Sequence, residues 1–210
     1  MKNENDFNKE FFQRSWGEDG YIEPFSYGVG YQKVAEVCIE PFVSLDKNAL
    51  EIGCGGGTFT TLMLGKFKHL TAIDVIRKPL KFQLFEHFTY MELPNQSFDC
   101  RPVVSNRIDY CFTYNLFCHL SNEALTQYLN GVHRVLKKGG DFVFMLANFE
   151  HTKRHVDKPE SYSLGDALPV GHFYQDLRTL DIIMDQSKWE VINNNLLPDH
   201  RDIIVHLKKK

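Results

Sequence analysis

Residues Ala49 to Thr58 run from an apolar, strand-like segment into a cluster of glycines, Gly53, Gly55, Gly56 and Gly57. Glycine at such a place lets the backbone turn sharply and lets a ligand lie directly on the chain, because no Cβ stands in the way. Dinucleotide-binding folds use a related device, G-x-G-x-x-G, to seat a pyrophosphate at a helix start. This chain departs from that pattern, since Gly53-x-Gly55 is followed by Gly57-Thr58 and an acid, Glu51, lies inside the strand. A carboxylate there gains nothing from facing a pyrophosphate. It suits a ligand that carries positive charge, such as an amino-acid ammonium or a sulfonium.

The rest of the chain alternates in kind. Val34, Val37 and Cys38 predict an amphipathic helix from about Tyr31 to Phe42, with Pro41 tending to end it. Asn48–Ile52 reads as a strand, Thr58–Phe67 as a helix and Leu70–Asp74 as a second strand closed by an acid. Pro79, Pro94 and Pro102 break up residues 75–107, where a third strand is placed near Ser97–Cys100. Ile108–Thr113 is a clearer strand. Leu125, Tyr128, Leu129, Val132 and Val135 mark a helix over Asn122–Leu136; Lys137, Lys138, Gly139 and Gly140 then supply cationic charge and a glycine stop. Asp141–Ala147 reads as a strand, Asp176–Asp185 as a helix, and Trp189–Asn193 and Asp202–Leu207 as two terminal strands joined around Pro198. This order predicts an α/β fold with a parallel sheet covered on both faces and finished by an antiparallel hairpin.

A chain of 210 residues has the length of a single domain. Two segments fall outside the alternation. Residues 1–30 are rich in aromatics and glycine, with Tyr27 near their end and Tyr31 just beyond, and are expected to cap the site. Residues 148–174 are polar, carry His151, His155 and His172, and are longer than a plain connector, so a lid or substrate loop is expected.

Four features now stand in order over residues 30–147: Glu51-x-Gly53-x-Gly55-x-Gly57, Asp74 closing the second strand, Ile108–Phe112 as the fourth, and Arg134 to Gly140 before the fifth. Together they resemble the class I S-adenosylmethionine-dependent methyltransferases, especially the small-molecule branch. The resemblance implies a Rossmann-like, doubly wound, mostly parallel seven-stranded sheet. It implies S-adenosylmethionine as cofactor and S-adenosylhomocysteine as product. Glu51 and the turn residues Gly53, Cys54, Gly55 and Gly57 are then expected to hold the methionine part, and Asp74 with Val75 the ribose. Asp99, with Cys100 beside it, is expected to meet the adenine amino group, Glu92 being the rival acid. Tyr27 and Asn115 are expected to border the cofactor. His119 and His172 are the candidate proton acceptors for a hydroxyl substrate; an amine needs only alignment.

A formal net charge of −3 provides no chain-wide positive field for nucleic acid. Asn115-Leu116-Phe117-Cys118 also differs from the Asn/Asp-Pro-Pro-Tyr or Pro-Cys that base-modifying members of the family carry after the fourth strand. The expected acceptor is therefore a small or sugar-containing molecule, and the chain also resembles methyltransferases of capsule and surface-polysaccharide gene clusters. No run approaches the roughly 18 apolar residues of a membrane span. The polar start and five cysteines without zinc-site spacing point to reduced thiols and the cytoplasm. His151, His155 and His172 with Asp157 and Asp166 match no metal motif, so no metal is expected. Two other readings stay open: a non-catalytic, S-adenosylmethionine-binding regulatory module, and an NAD-dependent oxidoreductase, which shares the acid after the second strand. The oligomeric state is not encoded in any of these features.

Overall fold

The computed structural model describes residues 30–75, 85–93, 98–169 and 171–210, and they build a single seven-stranded sheet. Its strands are β1 (Ser44–Ile52), β2 (Phe67–Asp74), β3 (Phe88–Glu92), β4 (Ile108–Thr113), β5 (Leu136–Leu146), β6 (Trp189–Asn193) and β7 (Ile203–Lys209). They lie in the order β3-β2-β1-β4-β5-β7-β6. The first five of that order run parallel to one another, while β7 runs antiparallel to both β5 and β6. The chain order reverses between β1 and β4, where the connections leave in opposite directions and open a crevice at the carboxyl ends of the strands.

Among the described residues five α-helices accompany the sheet: α1 (Tyr31–Cys38), α2 (Thr58–Met63), α3 (Asn122–Val135), α4 (Phe149–Thr152) and α5 (Thr179–Ile183). Because successive strand residues face opposite sides, the central strands feed two cores. Leu50, Ile52, Cys111, Phe142 and Phe144 pack with α3 and α5, and Ala49, Tyr110, Phe112 and Val143 with α1 and α2. Helix α3 buries Leu125, Tyr128, Leu129, Val132 and Val135, and starts where the Ser121 hydroxyl accepts the Ala124 N–H at 3.3 Å. That cap satisfies one of the amides a helix start leaves unpaired.

The third strand is Phe88–Glu92 rather than a segment near Ser97–Cys100, and its register against β2 sets Leu70 opposite Phe88 and Asp74 opposite Glu92. Ser97 lies outside the described residues. Phe98–Cys100 is irregular and packs on α3, where Arg134 donates to the Cys100 and Val103 carbonyls at 2.9 Å each. The glycine stop expected after α3 is also absent. Strand β5 begins at Leu136 because Leu136 pairs with Ile108, and Lys137 reaches both carboxylate oxygens of Asp109 at 2.8 and 2.9 Å. A register shift between Ile108 and Tyr110 and a positive φ of 75° at Gly139 absorb the extra residues as a bulge.

Residues 148–174 are more ordered than a polar connector. Phe149, Val156 and Leu168 form a small third core, and the fully buried Gln175 pins the segment's end: its Oε1 accepts the Ala147 N–H at 2.9 Å, and its Nε2 donates to the Phe117 and Leu120 carbonyls. Residues 1–29, Tyr27 among them, lie outside the described residues. Among the described residues no helix is long and apolar enough to cross a membrane.

Candidate active site

Strand β1 ends at Ile52, and the Gly53 N–H extends its ladder by donating to the Ile73 carbonyl at 2.8 Å. The chain then turns through Gly53, Gly55 and Gly57, with φ of 70°, 50° and 84°, a region L side chains rarely adopt. A Cβ on Gly53 would also stand 2.8 Å from Leu116 Cδ2. Above the turn lies a cleft bordered by Tyr31, Glu51, Gly55, Phe59, Tyr114 and Asn115. Cys54 and Gly53 also line it.

Glu51 is 3% exposed, and its Oε2 accepts the Thr60 hydroxyl of α2 at 2.5 Å. Burial pushes its pKa up to about 8; the Thr60 bond pulls the other way and the nearby Asp74 charge adds to the rise. Such a placement favours the protonated carboxyl. Asp74, at the end of the adjacent strand, accepts the Gly55 N–H on Oδ2 at 2.8 Å. Val75 packs into the α3-side core.

After β4 the chain passes through Asn115 in the left-handed region (φ 55°), which asparagine tolerates, into a short 3-10 turn at Phe117–His119. His119 Nδ1 lies 2.7 Å from the Gly171 carbonyl, which can only accept, so the proton sits on Nδ1. Burial first, then the neighbouring His172, holds the His119 pKa down at about 4. The His172 ring meets His119 edge-to-face at 4.8 Å, and its Nδ1 is buried without a hydrogen-bond partner. The two histidines are thus brought together, but neither borders the cleft above the glycine turn. His172 instead lines a cavity of about 220 Å³ with His151, Thr152, His155 and Arg201. A larger cavity of about 580 Å³ lies between α5 and β6 and takes no residue from the turn.

Residues 50–144 match the family model described as a methyltransferase domain. That stretch is similar to a methyltransferase domain, and it holds most of the residues on which the sequence resembles the class I, S-adenosylmethionine-dependent methyltransferases. No curated protein sequence matches it. Among solved structures, this chain is similar to the N-methyltransferase NodS from Bradyrhizobium japonicum WM9 in complex with S-adenosylhomocysteine. The TM-score is 0.65 at 15% identity, covering 99% of each chain. It is also similar to the Burkholderia thailandensis 1,6-didemethyltoxoflavin-N1-methyltransferase with bound 1,6-didemethyltoxoflavin and S-adenosylhomocysteine. That match has a TM-score of 0.67 at 14% identity and covers all of this chain and 92% of the other. A third match, the Haemonchus contortus phosphoethanolamine N-methyltransferase 1 with phosphoethanolamine and S-adenosylhomocysteine, has a TM-score of 0.62 at 16% identity and covers 98% of this chain and 49% of the other. At such identities these likenesses are likenesses of fold.

Asp99 and Cys100, expected beside the adenine, also stand away from the cleft. Cys100 is fully buried in the α3-side core, and the Asp99 carboxylate is engaged by Arg101, with its Nε at 3.1 Å. The segment carrying them is fastened to α3, so it does not end a strand beside Asp74. Glu92, the rival acid, does end that strand. Sequence reasoning missed Thr60 and Tyr114. Tyr114 directly precedes Asn115, so the strand end was the available signal; its hydroxyl lies 2.7 Å from His200 Nε2. Thr60 carries no signal of its own until the fold sets it against Glu51.

Proposed function

We propose that this protein is a class I methyltransferase that moves a methyl group from S-adenosylmethionine to a nitrogen or oxygen atom of a small molecule in the cytoplasm. The observation that carries the reading is Glu51: a buried carboxyl at the mouth of a glycine turn, with a second acid, Asp74, at the end of the next strand. The donor set fits the cofactor. Glu51 would meet the ammonium of the methionine end as a carboxylate, its proton passing to solvent. Gly53, Cys54, Gly55 and Gly57 offer backbone along which the methionine part lies. Asp74 would accept the ribose hydroxyls, with Val75 next to it in the chain, and Glu92, in place of Asp99, would be the acid on the adenine side.

When bound, the cofactor supplies a methyl group already activated on a sulfonium, so the chain's own task is alignment and exclusion of water. Tyr31, Phe59 and Tyr114 wall the cleft with apolar rings, and Asn115 marks the junction where the acceptor approaches. His119 holds a proton poorly at neutral pH and the His119–His172 pair lies off the cleft, so the proton-acceptor role expected for the pair is not part of this reading. An amine brings its own lone pair and needs no such group, which favours nitrogen, in keeping with three N-methyltransferases among the similar structures. A sugar-containing metabolite, including a capsular polysaccharide precursor, falls within the acceptor class and rests on the resemblance of the chain alone. Residues 148–174 would border that acceptor. The described cysteines are all buried and none is in a disulfide, in keeping with a reducing compartment.

The test is incubation of the purified protein with isotopically labelled methyl donor and a cell extract, followed by mass spectrometry. Label is expected in a small-molecule fraction with the wild type and not with Glu51→Ala. Label confined to nucleic acid, or equal label with the variant, contradicts the reading.

A further inference from the structure

We propose that Cys118, His119 and His172 form a binding site for a soft divalent cation of the zinc type, separate from the cofactor cleft. One ligand atom from each, a sulfur and two ring nitrogens, lies within 4.8 Å of the others. The three come from two distant parts of the chain, and the backbone fixes their approach on both sides of His172. The Phe173 N–H donates to the Cys118 carbonyl at 2.9 Å, and the Gly171 carbonyl accepts from His119 Nδ1 at 2.7 Å. His172 is thereby held opposite the Cys118–His119 pair.

The chemistry of the trio selects the ion. One thiolate and two imidazoles suit zinc and its neighbours, whereas calcium and magnesium require oxygen ligands. The bond between His119 Nδ1 and the Gly171 carbonyl is an outer support of the kind that orients metal-bound histidines. His172 Nδ1 is buried with no hydrogen-bond partner, a cost that a native site relieves with an ion or a water. Cys118 Sγ has a long contact, 3.6 Å to Asn115 Oδ1, which it gives up readily. Bond lengths of about 2.0–2.3 Å in a tetrahedral site place ligand atoms about 3.3–3.8 Å apart, so the trio closes by roughly 1 Å on binding. Cys118 releases its proton to solvent in that step.

Three protein ligands leave a fourth position. His172 also lines the 220 Å³ cavity, where His151 Nδ1 is likewise buried without a partner, so water or a small ligand entering there completes the coordination. The proposal is independent of the methyl-transfer reading, because none of the three residues borders the cleft above the glycine turn.

The full-length chain, freed of metal with a chelator, is titrated with Co²⁺ and followed by absorbance. Expected are one equivalent bound, a thiolate-to-cobalt charge-transfer band in the near ultraviolet, intense visible bands of a four-coordinate ion, and displacement by Zn²⁺. Cys118→Ser abolishes the charge-transfer band, His172→Asn weakens binding by about tenfold or more, and His155→Asn changes neither. S-adenosylhomocysteine binding, measured on the same samples, reports that each protein is folded. Wild-type protein that binds S-adenosylhomocysteine but shows no charge-transfer band overturns the site and leaves the cofactor reading standing. A band that survives Cys118→Ser, or Co²⁺ affinity unchanged in His172→Asn, overturns it equally.

Discussion

The carboxylate that closes β2 reaches back to the turn that follows β1: Asp74 Oδ2 accepts the backbone N–H of Gly55 at 2.8 Å. The two strands are parallel neighbours, so their ends lie side by side and the acid anchors the loop on which the cofactor is proposed to rest. Asp74→Ala removes that anchor together with the acceptor for the ribose hydroxyls, and weakens S-adenosylmethionine binding by more than about tenfold. Asp74→Asn keeps an oxygen for the Gly55 amide and loses less. Titration calorimetry on both variants checks the order.

Glu51 links pH to stability and to binding with opposite signs. Its folded pKa is raised, by burial first, from an ordinary 4.5 to about 8. The folded chain therefore keeps a proton that the unfolded chain has released, and the stability Glu51 contributes is full below about pH 4.5 and lost as pH rises toward about 8. The melting temperature of the cofactor-free wild type should fall over that window more than that of Glu51→Gln. Affinity for S-adenosylmethionine should rise over the same window, because the ionised form meets the ammonium. Calorimetry in buffers of different ionisation enthalpy is expected to show proton release on binding in the wild type and none in Glu51→Gln.

Gly53 combines a φ of 70° with a neighbour where a side chain would go, Leu116 Cδ2 at 2.8 Å from the place of a Cβ. Gly53→Ala therefore strains the backbone and crowds Leu116, and is expected to cost about 1–3 kcal/mol in urea unfolding. Leu116 is a flexible side chain, so Gly53→Ala with Leu116→Ala should recover the crowding part and leave the backbone part.

Gly131 sits in the middle of α3, where helix propensity alone would favour alanine by about 1 kcal/mol. The Asp99 carbonyl oxygen lies 2.3 Å from where its Cβ would stand. Gly131→Ala is expected to destabilise by roughly 1–3 kcal/mol, since the obstacle is backbone held in place by Arg134. A stabilised variant in urea unfolding would show that the 98–103 segment yields.

What the sequence made legible was local. Ile108–Thr113 is legible to the residue because it is mostly apolar and buried on both faces, and α3, expected over Asn122–Leu136 and found over Asn122–Val135, because its buried positions keep a three-to-four spacing. The glycine turn and the acids around it declare themselves within a few residues of chain. The third strand was misplaced because Phe88–Glu92 is a short edge strand in which only Phe88 is buried, so no pattern marks it among the prolines. The Lys137–Gly140 stop failed because pairing of Leu136 with Ile108 outweighed a local preference. Cys118, His119 and His172 could not be joined in advance, since two backbone hydrogen bonds across the chain bring them together. No spacing rule records such a contact.

The most direct test of the cofactor site is a crystal structure of the protein grown with S-adenosylhomocysteine. The account requires the amino group of its homocysteine end within hydrogen-bond reach of Glu51 and its ribose hydroxyls on Asp74. Density for the ligand elsewhere, with Glu51 still bonded only to Thr60 and the glycine turn bare, would contradict it.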